Sequence, residues 1–155
     1  MIQDPRVAAT LWPGPLGGPR TAAQTRARLD EHIAHWEQHG FGLWMFCDRT
    51  TGAGVGYAGP RHTTVEQHAE VEIAYAVASA RWGRGLATEM ARAAVEATRA
   101  AGVDDLVCFT LVENAASRRV MEKAGFRYER DFERAGLAHA LYRLPSGWQP
   151  VGRHG

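Results

Sequence analysis

The chain has 155 residues, 45% of them hydrophobic and 23% charged, and a formal net charge of +1. That length builds one domain whose core needs no disulfide or metal staples. The near-neutral balance supplies no global field for nucleic acid or an anionic membrane surface.

Seventeen of the eighteen basic residues are Arg, Lys123 being the sole Lys, a bias we read as codon usage rather than selection for phosphate binding. No apolar run approaches the roughly 20 residues that span a bilayer. The first thirty residues carry Pro, Gly and charge where a signal peptide needs an apolar core. Cys47 and Cys108 lie in the apolar runs "LWMFCD" and "LVCFTLV" and read as small buried hydrophobes of a reducing compartment. A cytoplasmic location is expected.

In chain order, Asp4 to Leu11 predicts a short helix with Asp4 as cap and Pro5 at its first position. "WPGPLGGPR" reads as loop. A longer helix runs from about Thr21 to Gln38, with Leu29, Ile33 and Trp36 on one face and Gly40 as its stop. His32, His35 and His39 flank that stripe. Three histidines on one face suggest zinc, but no carboxylate or thiolate stands at a recognisable offset, so they read as a solvated flank without metal.

Two strands follow, "LWMFCD" and "GVGYAG", joined by the hairpin chemistry of "RTTGA". "RHTTVEQH" reads as a polar connection. "AEVEIAYAV" alternates, with Val71, Ile73, Tyr75 and Val77 on one face and Glu70, Glu72, Ala74 and Ala76 on the other. A helix from about Gly85 to Ala101 comes next, ended by Gly102. The remainder is a strand "LVCFTLV", a helix from Ala115 to Ala124 stopped by Gly125, strands "FRYERDF" and "LAHALYRL", and a frayed tail from Pro145. The order predicts an α/β (α+β) domain over 1–145, a mixed and mostly antiparallel sheet with helices on both faces, and a tail over 146–155.

The stretch "ARWGRGLATEM" carries the chemistry. A helix N-terminus presents amides without intrahelical partners and a partial positive charge, and glycines ahead of it let backbone approach a ligand closely. "WGRGLA" between a strand and a helix is the context of a pyrophosphate site, to which Arg81 and Arg84 add charge-assisted donors. The P-loop pattern fails for want of a Gly-Lys pair. The dinucleotide fingerprint fails because Thr88 stands where its third glycine belongs.

With the downstream segment "VENAASRRVMEKAGFRYER", the pattern resembles the GNAT N-acetyltransferase superfamily, and within it the branch of the RimJ and RimL ribosomal-protein N-terminal acetyltransferases. The resemblance runs from about Val7 to Leu144. It implies the GNAT fold, acetyl-CoA as co-substrate, and as acceptor a primary amine, either a protein N-terminal α-amine or a small molecule. Trp82, Gly83, Arg84, Gly85, Leu86 and Ala87, with Thr88 following, map to the pyrophosphate loop. Tyr75, Ala76 and Val77 map to the pantetheine strand, where a bulge is expected and the Val77 N–H is the oxyanion candidate. Asn114 maps to a side-chain contact with pantetheine.

Glu72 is the candidate base, with Glu70 as fallback; the competing reading pairs Glu72 with an Arg of a neighbouring strand. Many family members donate the final proton from a Tyr seven residues after the Asn, where this chain has Met121. By the resemblance Ser117, three residues after the Asn, is the candidate acid of this branch; the competing reading is an ordinary helix-start residue bonding backbone, and Tyr142 is a weaker alternative. Phe41, Trp44 and Phe109 are candidates for an acceptor cleft or for the core.

The family's opening strand has no counterpart ahead of Asp4, so a sheet edge is expected to stand open or to be covered by a partner chain, as in a homodimer. A non-catalytic acetyl-CoA-binding sensor or assembly module of the same fold stays open beside the enzyme.

Overall fold

A computed structural model describes residues 1–12 and 17–150. Residues 13–16 of the expected loop and 151–155 of the expected tail lie outside the described residues. Helix α1 (Pro5–Leu11) begins as expected, with Asp4 Oδ1 accepting the Arg6 amide at 2.9 Å. The other Asp4 oxygen takes the hydroxyl of Ser79, which ties α1 to the chain just after the third strand.

Helix α2 (Ala22–His39) starts at a reciprocal capping box between Thr21 and Gln24 and ends at Gly40 in the left-handed region. Its apolar stripe does not form core. Leu29 is 52% exposed and Ile33 47%; only Trp36 docks, its indole N–H donating to the Leu43 carbonyl at 2.9 Å.

Six strands form one sheet in the order β1-β2-β3-β4-β6-β5. They are β1 (Trp44–Cys47), β2 (Gly54–Val65), β3 (His68–Val77), β4 (Val107–Leu111), β5 (Arg127–Arg134) and β6 (Leu137–Arg143). Only β3 and β4 run parallel. The stretch expected to connect β2 to β3 is instead the second half of β2 and a tight turn. Glu66 and Gln67 both take positive φ, 45° and 70°, the backbone a two-residue hairpin of right-handed twist needs. Neither is the Gly or Asn that announces such a turn.

Helices α3 (Leu86–Ala100) and α4 (Ala115–Lys123) cover one face. Met90, Ala91, Ala94 and Val95 of α3 meet Ile73 and Val77 of β3 and Cys108 of β4 in the main core. A smaller cluster of Val65, Val107, Phe132 and Leu141 lies apart from it. Among the described residues no strand precedes α1. At that edge the outer strand is β1, where Met45 is 68% exposed and Cys47 is exposed, not buried as its run suggested. Where β2 outruns β1, the amide of His62 is capped by Nε2 of His35 at 3.1 Å.

The tail also departs from expectation. Trp148 packs on the main core, and its ring fills the space beside Gly125, where an added Cβ would sit 2.1 Å from the indole nitrogen.

The Ser79 hydroxyl and the Arg6 amide pull the Asp4 carboxyl down from 3.8 to about 2. A depressed carboxyl favours the fold above its ordinary range and stops doing so as pH falls through the folded value. Asp4→Ala is therefore expected to melt below the wild type at neutral pH. The gap should close between about pH 4 and pH 2 in thermal scans.

Candidate active site

The parallel ladder between β3 and β4 consists of a single bridge, Glu72 to Val107. Beyond it the strands diverge, and the gap opens into a cleft of about 560 Å³. Lining it are Tyr75, Ala76 and Val77 of β3, the turn from Trp82 to Gly85, Leu86 to Thr88 of α3, Asn114 and Ser117. The structure thus gathers the residues mapped to the pyrophosphate loop and the pantetheine strand, with Asn114, Ser117 and Glu72, around one cavity.

Gly83 and Gly85 both have φ of 74°, in the left-handed region. An added Cβ at either would meet nothing within 4 Å, so these glycines are required by backbone conformation, and the space above them is free for a ligand. Gly85 is the N-cap of α3 and offers no side-chain cap, leaving the first amides of a 15-residue helix facing the cleft.

Trp82 braces the turn, its indole N–H donating to the Val77 carbonyl at 2.9 Å. Arg84 is exposed on the turn. Arg81 is not a free donor: it is paired at 3.0 Å with Asp48 of the β1–β2 hairpin.

The expected bulge in β3 is absent. Pairing with β2 runs without a register shift from Gly56–Val77 to Val65–His68. The Ala78 amide bonds to Val55 at 2.8 Å, and alternation along an antiparallel ladder turns the Val77 amide the other way, toward the gap. Divergence from β4 does what a bulge was expected to do.

Asn114 caps α4, accepting the Ser117 amide at 3.1 Å, which engages its oxygen and leaves its NH₂ group. Ser117 Oγ lies 2.7 Å from the Tyr75 hydroxyl, which donates to the Ser117 carbonyl at 3.1 Å. Burial pushes the Tyr75 hydroxyl well above its ordinary pKa, so it stays protonated. Tyr142 is fully buried and held by Arg118 at 2.9 Å, outside the cleft lining. Met121, 2% exposed, packs in the core.

On the other side of β3, Glu72 is 5% exposed and takes Arg61 Nε at 2.9 Å across the β2–β3 ladder. This is the structural pairing weighed against the base role, and it leaves Glu72 one oxygen. The carboxylate in turn raises the pKa of the Arg61 guanidinium. Glu70 is bound to Arg143 at 2.7 Å and does not line the cleft.

Sequence reasoning missed His139. It is 6% exposed, lies in the cleft wall beside Phe109, and has Nδ1 2.9 Å from the Leu137 carbonyl. With Nδ1 as donor, Nε2 carries the lone pair. Its one signal was a single His inside the apolar run "LAHALYRL". Of the three candidate aromatics only Phe109 lines the cleft; Trp44 packs on the core and Phe41 stacks among histidines.

This frame has known counterparts. Residues 1–127 match the family model described as the acetyltransferase (GNAT) domain. The chain belongs to the GNAT acetyltransferase family. A GNAT-family acetyltransferase structure from Bordetella pertussis is 30% identical with a TM-score of 0.75, over 81% of this chain and 78% of that one. An acetyltransferase structure from Agrobacterium tumefaciens has a TM-score of 0.76 at 24% identity, over 94% and 81% of the two chains. YkkB of Bacillus subtilis, itself uncharacterized, is 28% identical over 130 residues, 83% of this chain and 76% of YkkB. The six-stranded mixed sheet with four helices is the GNAT fold, and the chain is an acyltransferase.

Removing one member of a buried ion pair strands the other, at about 3–5 kcal/mol, whereas replacing both by apolar groups is near neutral. Arg61→Met is expected to cost about 3 kcal/mol in denaturant unfolding. Adding Glu72→Met should recover most of that loss.

Proposed function

We propose that this chain transfers the acetyl group of acetyl-CoA to a primary amine by direct attack in a ternary complex. The observation that carries the reading is the uncapped start of α3 behind two left-handed glycines, opening onto the gap between β3 and β4. Amides at a helix start favour a diphosphate, and Arg84 adds a cation beside them. A gap walled by extended backbone suits the pantetheine arm, with the Asn114 NH₂ group as a further donor. Bound there, acetyl-CoA supplies an activated acyl group as a thioester.

The residues divide the rest of the work. The Val77 amide donates to the carbonyl oxygen as negative charge develops on it. Ser117, coupled to Tyr75, returns a proton to the departing sulfur. The acceptor approaches along the wall holding Arg61, Glu72, Phe109 and His139. Glu72, held in place by Arg61, receives the ammonium on its second oxygen and takes a proton directly or through a water. The bare imidazole nitrogen of His139 favours a second assignment of that step.

The resemblance to the RimJ and RimL branch supports a protein N-terminal α-amine as acceptor, since such amines titrate near 7.7–8.0 and need little help at neutral pH. A small-molecule amine is the other acceptor class. The unpaired thiols of Cys47 and Cys108 fit a reducing compartment such as the cytoplasm. Met121, buried where many family members carry a proton-donating Tyr, favours a second reading as a non-catalytic acetyl-CoA sensor.

Melting with and without acetyl-CoA tests the shared claim: ligand at 100 times its dissociation constant adds about 2.7 kcal/mol. Thiol release across a panel of peptides and small amines then separates enzyme from sensor. Gly85→Val must force a branched side chain into left-handed backbone; it should raise the acetyl-CoA dissociation constant at least tenfold while the circular dichroism spectrum is kept. Unchanged affinity in that variant counts against the cradle. General bases contribute about 10²–10⁴-fold, so Glu72→Gln is expected to lower kcat at least tenfold with little change in acetyl-CoA affinity. The same loss in His139→Gln, with Glu72→Gln active, moves the step to His139.

A further inference from the structure

We infer that His35, His39 and His62 form a site for a divalent transition-metal ion, Zn²⁺ foremost, that clamps the end of α2 to the edge of β2. His35 and His39 stand one helical turn apart, so their rings share a face, and β2 brings the third. A ligating nitrogen of each lies within 4.8 Å of the others, and the ring centroids are 4.3–5.4 Å apart. Histidine nitrogens at about 2.0–2.1 Å from tetrahedral zinc stand roughly 3.3 Å from one another, so the rings need close by no more than about 1.5 Å. The ring nitrogens of His39 and His62 hold no hydrogen bond among the described residues, which leaves both rings free to turn.

His35 is already oriented as a ligand. Its Nδ1 lies 2.9 Å from the Phe41 carbonyl; as donor there, it fixes the lone pair on Nε2, the outer contact that positions metal-bound histidines generally. Nε2 now takes the His62 amide at 3.1 Å. Metal binding exchanges that bond for coordination, and the amide of an exposed residue passes to water. The Phe41 ring packs 5.3–5.9 Å from all three imidazoles and shields one side.

The neighbouring cation Arg61 is matched by Glu72. Imidazole donors suit Zn²⁺, Cu²⁺ and Ni²⁺, and water completes the shell. Because α2 has no buried residue and carries Arg28 into the cleft wall, the ion would fix how that helix seats on the sheet. The site stands independently of the acetyl-transfer reading.

The test is a titration of metal-stripped, untagged full-length protein with Zn²⁺ against a chelating indicator, alongside thermal melts. One equivalent should bind and raise the melting temperature. His39→Ala and His62→Ala should each weaken binding at least about tenfold, the least that loss of even an outer contact costs such sites, while His32→Ala and Cys47→Ser leave it unchanged. Absence of binding overturns the site, as does binding that survives both histidine variants or follows Cys47. Gln replacements serve if an Ala variant fails to fold, since they keep the volume without the imidazole.

Discussion

The parting of β3 from β4 after one bridge is the constraint on which the other features depend. Two parallel strands that separate inside a sheet abandon backbone donors and acceptors that must be satisfied elsewhere. The protein does so locally. The Val77 carbonyl goes to the Trp82 indole, the Ile73 carbonyl to the Cys108 thiol at 3.0 Å, and the Tyr75 side chain crosses to α4. At the closed end, Arg143 binds Glu70, Asp105 and Glu129 together. The sheet is thus stitched where it is continuous and propped where it opens. The propped end is where a donor left unpaired has chemical use.

Charge is distributed to match. The α3 side of the cleft is built from backbone dipole and Arg84, while the opposite wall holds a carboxylate already matched to a guanidinium and the His139 imidazole. Burying Arg61 and Glu72 costs desolvation that an apolar pair would avoid, and the return is a carboxylate fixed in orientation at the cleft. Helix α2, which helps roof that wall, is held by one indole and one imidazole rather than by a buried stripe.

Much of this was legible because the signals were local. Asp4 with Pro5 and the two glycines before Leu86 each encode a helix start through their own backbone needs, and both helices begin where the residues indicated. The misses are nonlocal. The spacing of Leu29 and Ile33 reports an apolar face but not whether anything covers it. Cys47 sits in an apolar run whose alternate residues face water on an edge strand. The turn at Glu66 and Gln67 has positive φ without the residues that usually supply it. Arg61, within a stretch read as connection, could not be recognised as the partner of Glu72 until β2 was seen to continue through it. His139 belongs to the cleft only because β6 inserts between β4 and β5.

Asp48 and Arg81 add a mechanical link. Asp48 organises the tip of the β1–β2 hairpin through the amides of Thr50 and Thr51, and its remaining oxygen holds Arg81 just ahead of the glycine turn. The β1–β2 hairpin is thereby hitched to the glycine turn at the cleft, through one guanidinium–carboxylate contact in partial reach of solvent. Dissolved salt weakens such a contact, so this tie between hairpin and turn loosens as ionic strength rises, at a distance from the cavity itself.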